Sequence, residues 1–128
     1  MAAAMGNLLA VMAGGAIGAG LRYELGAGVV RWFGASAWPA GTLAVNLIGA
    51  LAMGVLAGLG ERHGLAEGWR LFLGTGLLGG FTTFSAFSLE NVRLLEAGDW
   101  TAALAYAAIS VIGTAMLVGI GLWSARAW

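Results

Sequence analysis

The chain is 128 residues long, 60% hydrophobic and only 9% charged, and its six basic residues, all arginine, balance six acidic ones for a formal net charge of zero. A water-soluble domain needs far more polar surface, so the composition places the chain in a lipid bilayer. No basic run offers a footprint for nucleic acid, and the absence of cysteine removes disulfides, thiolate metal ligands and thiol nucleophiles.

Four apolar stretches follow in order, about 6–30, 39–60, 69–95 and 101–124. Each is long enough to cross about 30 Å of hydrocarbon at roughly 1.5 Å per helical residue. Short linkers make neighbours antiparallel, and 128 residues leave little room for a second domain. All six tryptophans (Trp32, Trp38, Trp69, Trp100, Trp123 and Trp128) sit at or beside the edges of these stretches, where interfacial aromatic belts form. The predicted fold is an all-α membrane protein, a single domain of four transmembrane helices with a broken third helix.

The first stretch has no basic segment before it and reads as a retained span, not a cleaved leader. Its G-A-G-L-R-Y segment (residues 18–23) carries Arg22 a few turns inside the membrane. The second stretch begins within W-P-A-G-T-L-A-V-N-L-I-G (residues 38–49), where Asn46 stands among apolar neighbours. In the third, G-G-F-T-T-F-S-A-F-S (residues 79–88) sets a glycine pair, a run of hydroxyls and the rings of Phe84 and Phe87 in mid-membrane. Backbone groups freed in hydrocarbon each cost several kcal/mol, roughly, so a broken span persists only where protein, water or an ion meets them. Alternatively Gly79 and Gly80 permit close packing, the role assigned to the four-residue pairs Gly14/Gly18, Gly54/Gly58 and Gly76/Gly80. In the fourth stretch Tyr106, Ser110 and Thr114 recur every four residues and line one helical face with hydroxyls. Phe84 and Phe87 share a face too, and their ring edges carry partial positive charge that suits a small anion; core packing is the plain alternative.

With the N-terminus on side one, that side carries Arg62, Arg70 and Arg126, and side two carries Arg31, Arg93 and the deeper Arg22. Arginine bias sets orientation, so this balance predicts insertion both ways round and an antiparallel homodimer; orientation by the first span or by a partner is the alternative. The two-fold axis of such a dimer lies in the membrane plane at mid-depth, the level of Thr82 in the third stretch. Two copies of the 79–82 backbone meeting there would offer carbonyl oxygens to a hard cation such as sodium.

Arg22, Asn46 and Glu90 fall at one level, about 10 Å inside side two. Arg22 and Glu90 read as an intramembrane ion pair, or Arg22 as the cation of an anion vestibule. Asn46 offers both donors and an acceptor, either to an ion or to a neighbouring helix.

These three motifs, their order, the four-span plan and the length resemble the bacterial fluoride channels called Fluc or CrcB. The resemblance covers nearly the whole chain. It implies a dual-topology antiparallel dimer in the bacterial inner membrane, with two fluoride pores, a central structural sodium ion and passive efflux of fluoride that enters as HF. By motif position it assigns Asn46, Phe84 and Phe87 to the pore lining. Tyr106, Ser110 and Thr114 become its hydroxyl track, and the Gly79 and Thr82 carbonyls become sodium ligands. Two positions depart from the family pattern: Ala86 stands where relatives commonly carry threonine, and Val118 continues the track's spacing without a hydroxyl.

A small dual-topology multidrug-type exporter is the rival reading, and it requires a free embedded carboxylate. Glu24 and Glu90 each lie near Arg22 in this scheme and do not fit that requirement. A structural assembly subunit without transport is a third. An enzyme is not expected, because His63 stands alone beside Arg62 with no nucleophile, base or ligand cluster.

Overall fold

The computed structural model describes residues 1–36 and 38–127, Ala2 by its backbone alone; Trp128 of the expected belts lies outside them. The described chain is helical, in the order α1 (Ala2–Phe33), α2 (Ala40–His63), α3 (Glu67–Arg70), a π-helical segment π1 (Leu71–Leu78), α4 (Gly79–Phe81), α5 (Phe84–Glu96) and α6 (Trp100–Ala127). Four runs are long and apolar enough to cross a bilayer: Ala3–Phe33, Ala40–His63, Glu67–Glu96 and Trp100–Ala127. Large apolar side chains such as Leu9, Met12, Leu104, Ile112 and Met116 stand exposed on these runs. That is the pattern of helices whose outer faces meet lipid. Glycines at positive φ follow three helix ends, Gly34 (81°) after α1, Gly64 (70°) after α2 and Gly98 (78°) just beyond α5, because a residue without Cβ enters that region at little cost.

Helices pair through glycine. α2 and α6 form the most extensive contact, and α1 packs on π1 and α4. A Cβ on Gly54 would collide with the Val118 carbonyl oxygen, and one on Gly121 with that of Leu51. The α1 seam is as tight: a Cβ on Gly14 would strike the Phe72 carbonyl oxygen, and one on Gly18 that of Leu77. Such backbone contact maximises dispersion where lipid supplies no hydrophobic drive. The π turns of the third run lie along the α1 seam, and Gly79 N–H donates to the Gly74 and Gly76 carbonyls.

The third run leaves helical geometry at Thr82 (φ −79°, ψ 157°) and Thr83 (φ −151°, ψ 118°). Within the 79–88 stretch, the extended residues are thus the threonines and not the glycine pair. Gly79 is helical (φ −65°, ψ −38°) and Gly80 lies within α4. A Cβ on Gly80 would come within 2.6 Å of the Gly15 carbonyl oxygen, so this glycine is needed for close approach to α1. The extended pair redirects the chain: α4 rests on α1, whereas α5 packs mainly on α6.

The tryptophans at the span ends differ in burial. Trp32, Trp69, Trp100 and Trp123 are exposed, but Trp38 packs against the core of Phe87, Leu94, Ala103 and Tyr106.

Candidate functional site

Asn46 of α2 faces the extended pair. Its Oδ1 accepts from Thr83 N–H at 2.8 Å and its Nδ2 donates to the Thr83 carbonyl at 2.9 Å. One amide thus satisfies both backbone groups of a residue outside any helix, the requirement that hydrocarbon imposes. Thr83 also caps α5, its Oγ1 accepting from Ala86 N–H at 3.2 Å. Thr82 Oγ1 donates to the Leu78 carbonyl at 3.0 Å and closes the end of α4.

Beside this turn runs a groove of about 280 Å³ between α2, the turn and α6, lined by Asn46, Met53, Thr82, Thr83, Phe84, Phe87, Ser110 and Thr114 among others. Of the residues singled out for a pore, Asn46, Phe84, Phe87, Ser110 and Thr114 meet here. The two phenylalanine rings lie 5.3 Å apart at 52°. Phe84 is 76% exposed and Phe87 is buried. Ser110 is only 7% exposed, and its Oγ has no hydrogen-bond partner. The Thr114 hydroxyl is spent on its own helix, donating to the Ser110 carbonyl at 2.6 Å. Val118 lines the groove without a hydroxyl.

Tyr106 is not on the groove. It is fully buried, and its hydroxyl donates to Glu90 Oε2 at 2.7 Å, while Thr42 Oγ1 donates to Glu90 Oε1 at 2.7 Å. Its ring meets Phe87 edge-on at 5.1 Å and Trp38 at 5.7 Å. Tyr106 therefore links the carboxylate to the groove ring but does not line the groove.

The expected Arg22–Glu90 ion pair does not form. Both Glu90 oxygens are taken by hydroxyls, and the ion pairs among the described residues are Arg31–Glu24 and Arg126–Glu61. The physical reason is the turn at Thr82 and Thr83, which carries α5 from α1 to α6. Glu90 instead takes Thr42, which stands one turn of α2, about 6 Å, from Asn46 toward side two. Arg22 lines a separate cavity of about 400 Å³ with Thr42, Thr83 and Ala86. Thr83 borders both this cavity and the groove.

The carbonyls named for a cation have lost their helical donors. Thr83 N–H, four residues beyond Gly79, goes to Asn46, and Ala86 N–H, four beyond Thr82, goes to Thr83 Oγ1. Neutral oxygens released in this way suit a hard, weakly polarising cation. Among the described residues no cluster of three or more His, Cys, Asp or Glu could hold a metal instead.

A family model described as CrcB-like protein, Camphor Resistance (CrcB), matches residues 9–122. The chain belongs to the CrcB-like family. A relative from Mesorhizobium japonicum is 47% identical over 122 residues, covering 95% of this chain and 98% of its own. One from Chloroflexus aurantiacus is 49% identical over 121 residues, covering 92% and 95%, and one from Hyphomonas neptunium 49% over 124, covering 95% and 97%. Each is named a fluoride-specific ion channel.

In this CrcB-like chain the sequence reading missed Thr42 and Thr83. A signal existed for Thr42, which precedes Asn46 by one turn and so shares its face of α2. Thr83 stands three residues before Ala86 N–H, the spacing of a helix cap.

Proposed function

We propose that this protein is a fluoride-selective channel giving passive efflux of cytoplasmic fluoride, and hence fluoride resistance, across the bacterial inner membrane. It is a channel and not an enzyme. The observation that carries the reading is the buried, unpartnered Ser110 hydroxyl in the groove beside Phe84, Phe87 and the Asn46-held turn. Fluoride holds its water tightly, so a pore must replace that shell with fixed donors. Ser110 Oγ has its hydrogen free to donate, and the ring edges add partial positive charge. Arg22, without a carboxylate partner among the described residues, supplies the vestibule cation that gathers anions. Glu90, with both oxygens engaged by hydroxyls, is not the free carboxylate that a proton-coupled exporter requires.

The working unit is an antiparallel dual-topology homodimer with two pores, in which the third span acts as a broken helix. The even arginine balance supports both orientations. The open flank of the groove, where Phe84 stands 76% exposed, supports a second copy as its missing wall. The Gly79 and Thr82 carbonyls of both copies would hold a central sodium ion, whose charge compensates the oxygens turned away from their helices. One copy supplies too few oxygens for a hard cation, which ties the ion to the dimer.

Expression in a bacterium lacking its own fluoride exporter tests the function. Growth on millimolar fluoride should be restored, and no restoration by well-expressed protein contradicts it. Reporters fused to the C-terminus should be active on both sides of the membrane; activity on one side alone contradicts dual topology.

A further inference from the structure

Asn46 and Gly49 are three residues apart on α2 and therefore share a face. Asn46 holds Thr83 by two hydrogen bonds. Gly49 is buried, and a Cβ placed on it would collide with Thr82 Cγ2 and come within 3.1 Å of Phe81 Cδ1. One turn of α2 thus receives both extended residues, gripping one by its backbone and leaving a notch for the methyl of the other. Thr82 has little freedom to move aside. It is β-branched and stiff at χ1, and turning the methyl away from the notch would take Oγ1 from the Leu78 carbonyl, its partner at 3.0 Å. Phe84, the first residue of α5, follows this pair directly and carries the exposed groove ring. Where the cradle puts Thr82 and Thr83, it also puts Phe84.

We infer that Gly49 is a positioning residue for permeation: with Asn46 it forms a one-turn cradle that fixes the Thr82–Thr83 turn and so aims Phe84 and Thr83 into the pore. Asn46 accordingly acts on conduction through Thr83, in addition to any contact it makes with the ion. The inference rests on the channel reading above and adds a residue to it. A displacement of the turn by a methyl's width would disturb the donor spacing along the groove without removing a donor, so the defect is one of geometry.

The test is a pair of substitutions measured by fluoride-electrode efflux from proteoliposomes. Gly49→Ala places a methyl in the notch and should slow fluoride efflux about tenfold or more relative to wild type, the scale expected when functional groups are misplaced. Thr82→Ser deletes Cγ2 and keeps the hydroxyl that bonds Leu78. The double variant Gly49→Ala/Thr82→Ser should therefore regain most of the flux of Thr82→Ser alone, which a generally weakened fold would not do. If Gly49→Ala fails to fold while the double variant folds and conducts, the same contact is supported. Wild-type flux in Gly49→Ala, or a double variant as impaired as the single, overturns the cradle while leaving the channel reading intact. Absence of fluoride flux in the wild-type protein overturns that reading, and the cradle's role in permeation with it.

Discussion

The same two helices, α2 and α6, meet in opposite ways at their two ends. Toward side one they touch backbone to backbone, with Gly54 against Val118 and Gly58 against Leu122 and Ala125. Toward mid-depth they part around a groove, where Asn46, Gly49 and Met53 face Ser110, Val111 and Thr114. The tight end is built on glycines, and its polar side chains are partnered, Arg126 with Glu61 and Ser124 with the Gly121 carbonyl. The open end keeps a buried hydroxyl with none. A membrane protein gains nothing in stability from such a group, so the difference separates what holds the bundle together from what it is for.

That contrast can be broken from either end. The largest effect is expected at the rings. Phe84→Ile or Phe87→Ile should abolish fluoride flux while the protein still elutes as a folded species in size-exclusion chromatography, because an apolar side chain is kept and the partially positive ring edge is lost. Unchanged efflux in both variants would remove the rings from the pathway. Asn46→Ala should come next, slowing flux about tenfold and destabilising the fold by about 1–3 kcal/mol, since Thr83 loses partners for both its N–H and its C=O. Wild-type flux with wild-type thermal stability would contradict the turn-holding role.

At the tight end the signature reverses. Gly54→Ala forces a methyl against the Val118 carbonyl and should cost about 1–3 kcal/mol by overpacking, read as a lower melting temperature. Flux per folded protein should be unchanged, and a selective loss of flux would mean that the two ends are not separate in function. The smallest effect on stability belongs to Ser110→Ala. Deleting a hydroxyl that makes no bond should leave the melting temperature where it was, yet slow fluoride severalfold. A clear loss of stability would show that Ser110 has a structural partner.

How far the site was legible in the sequence follows the same division. Four spans could be read from apolar length, and the Gly14/Gly18 and Gly54/Gly58 pairs could be read as seams, because lipid imposes both locally. Phe84, Phe87, Ser110 and Thr114 could be grouped because helical periodicity alone puts each pair on one face. The location of the turn could not be read in this way. A glycine pair is the usual mark of a break, but here Gly80 is committed to α1, and the backbone turns where Asn46 waits for Thr83. That is a tertiary match between residues 37 positions apart. The Arg22–Glu90 pairing failed for the same cause: an inward charge chooses its partner after the turn has sent α5 to α6, where Thr42 and Tyr106 provide hydroxyls. Tyr106 obeys the periodicity of Ser110 and Thr114, yet it serves Glu90, to which its hydroxyl donates from within the core.

The most direct test of the central claim, that this groove passes dehydrated fluoride and refuses the larger halide, is ion release from liposomes holding the purified protein. Fluoride and chloride electrodes would read vesicles loaded with both anions, with potassium made permeable to carry the countercharge. The account predicts rapid fluoride release with chloride retained. Equal release of the two, or retention of both by folded protein, would contradict it.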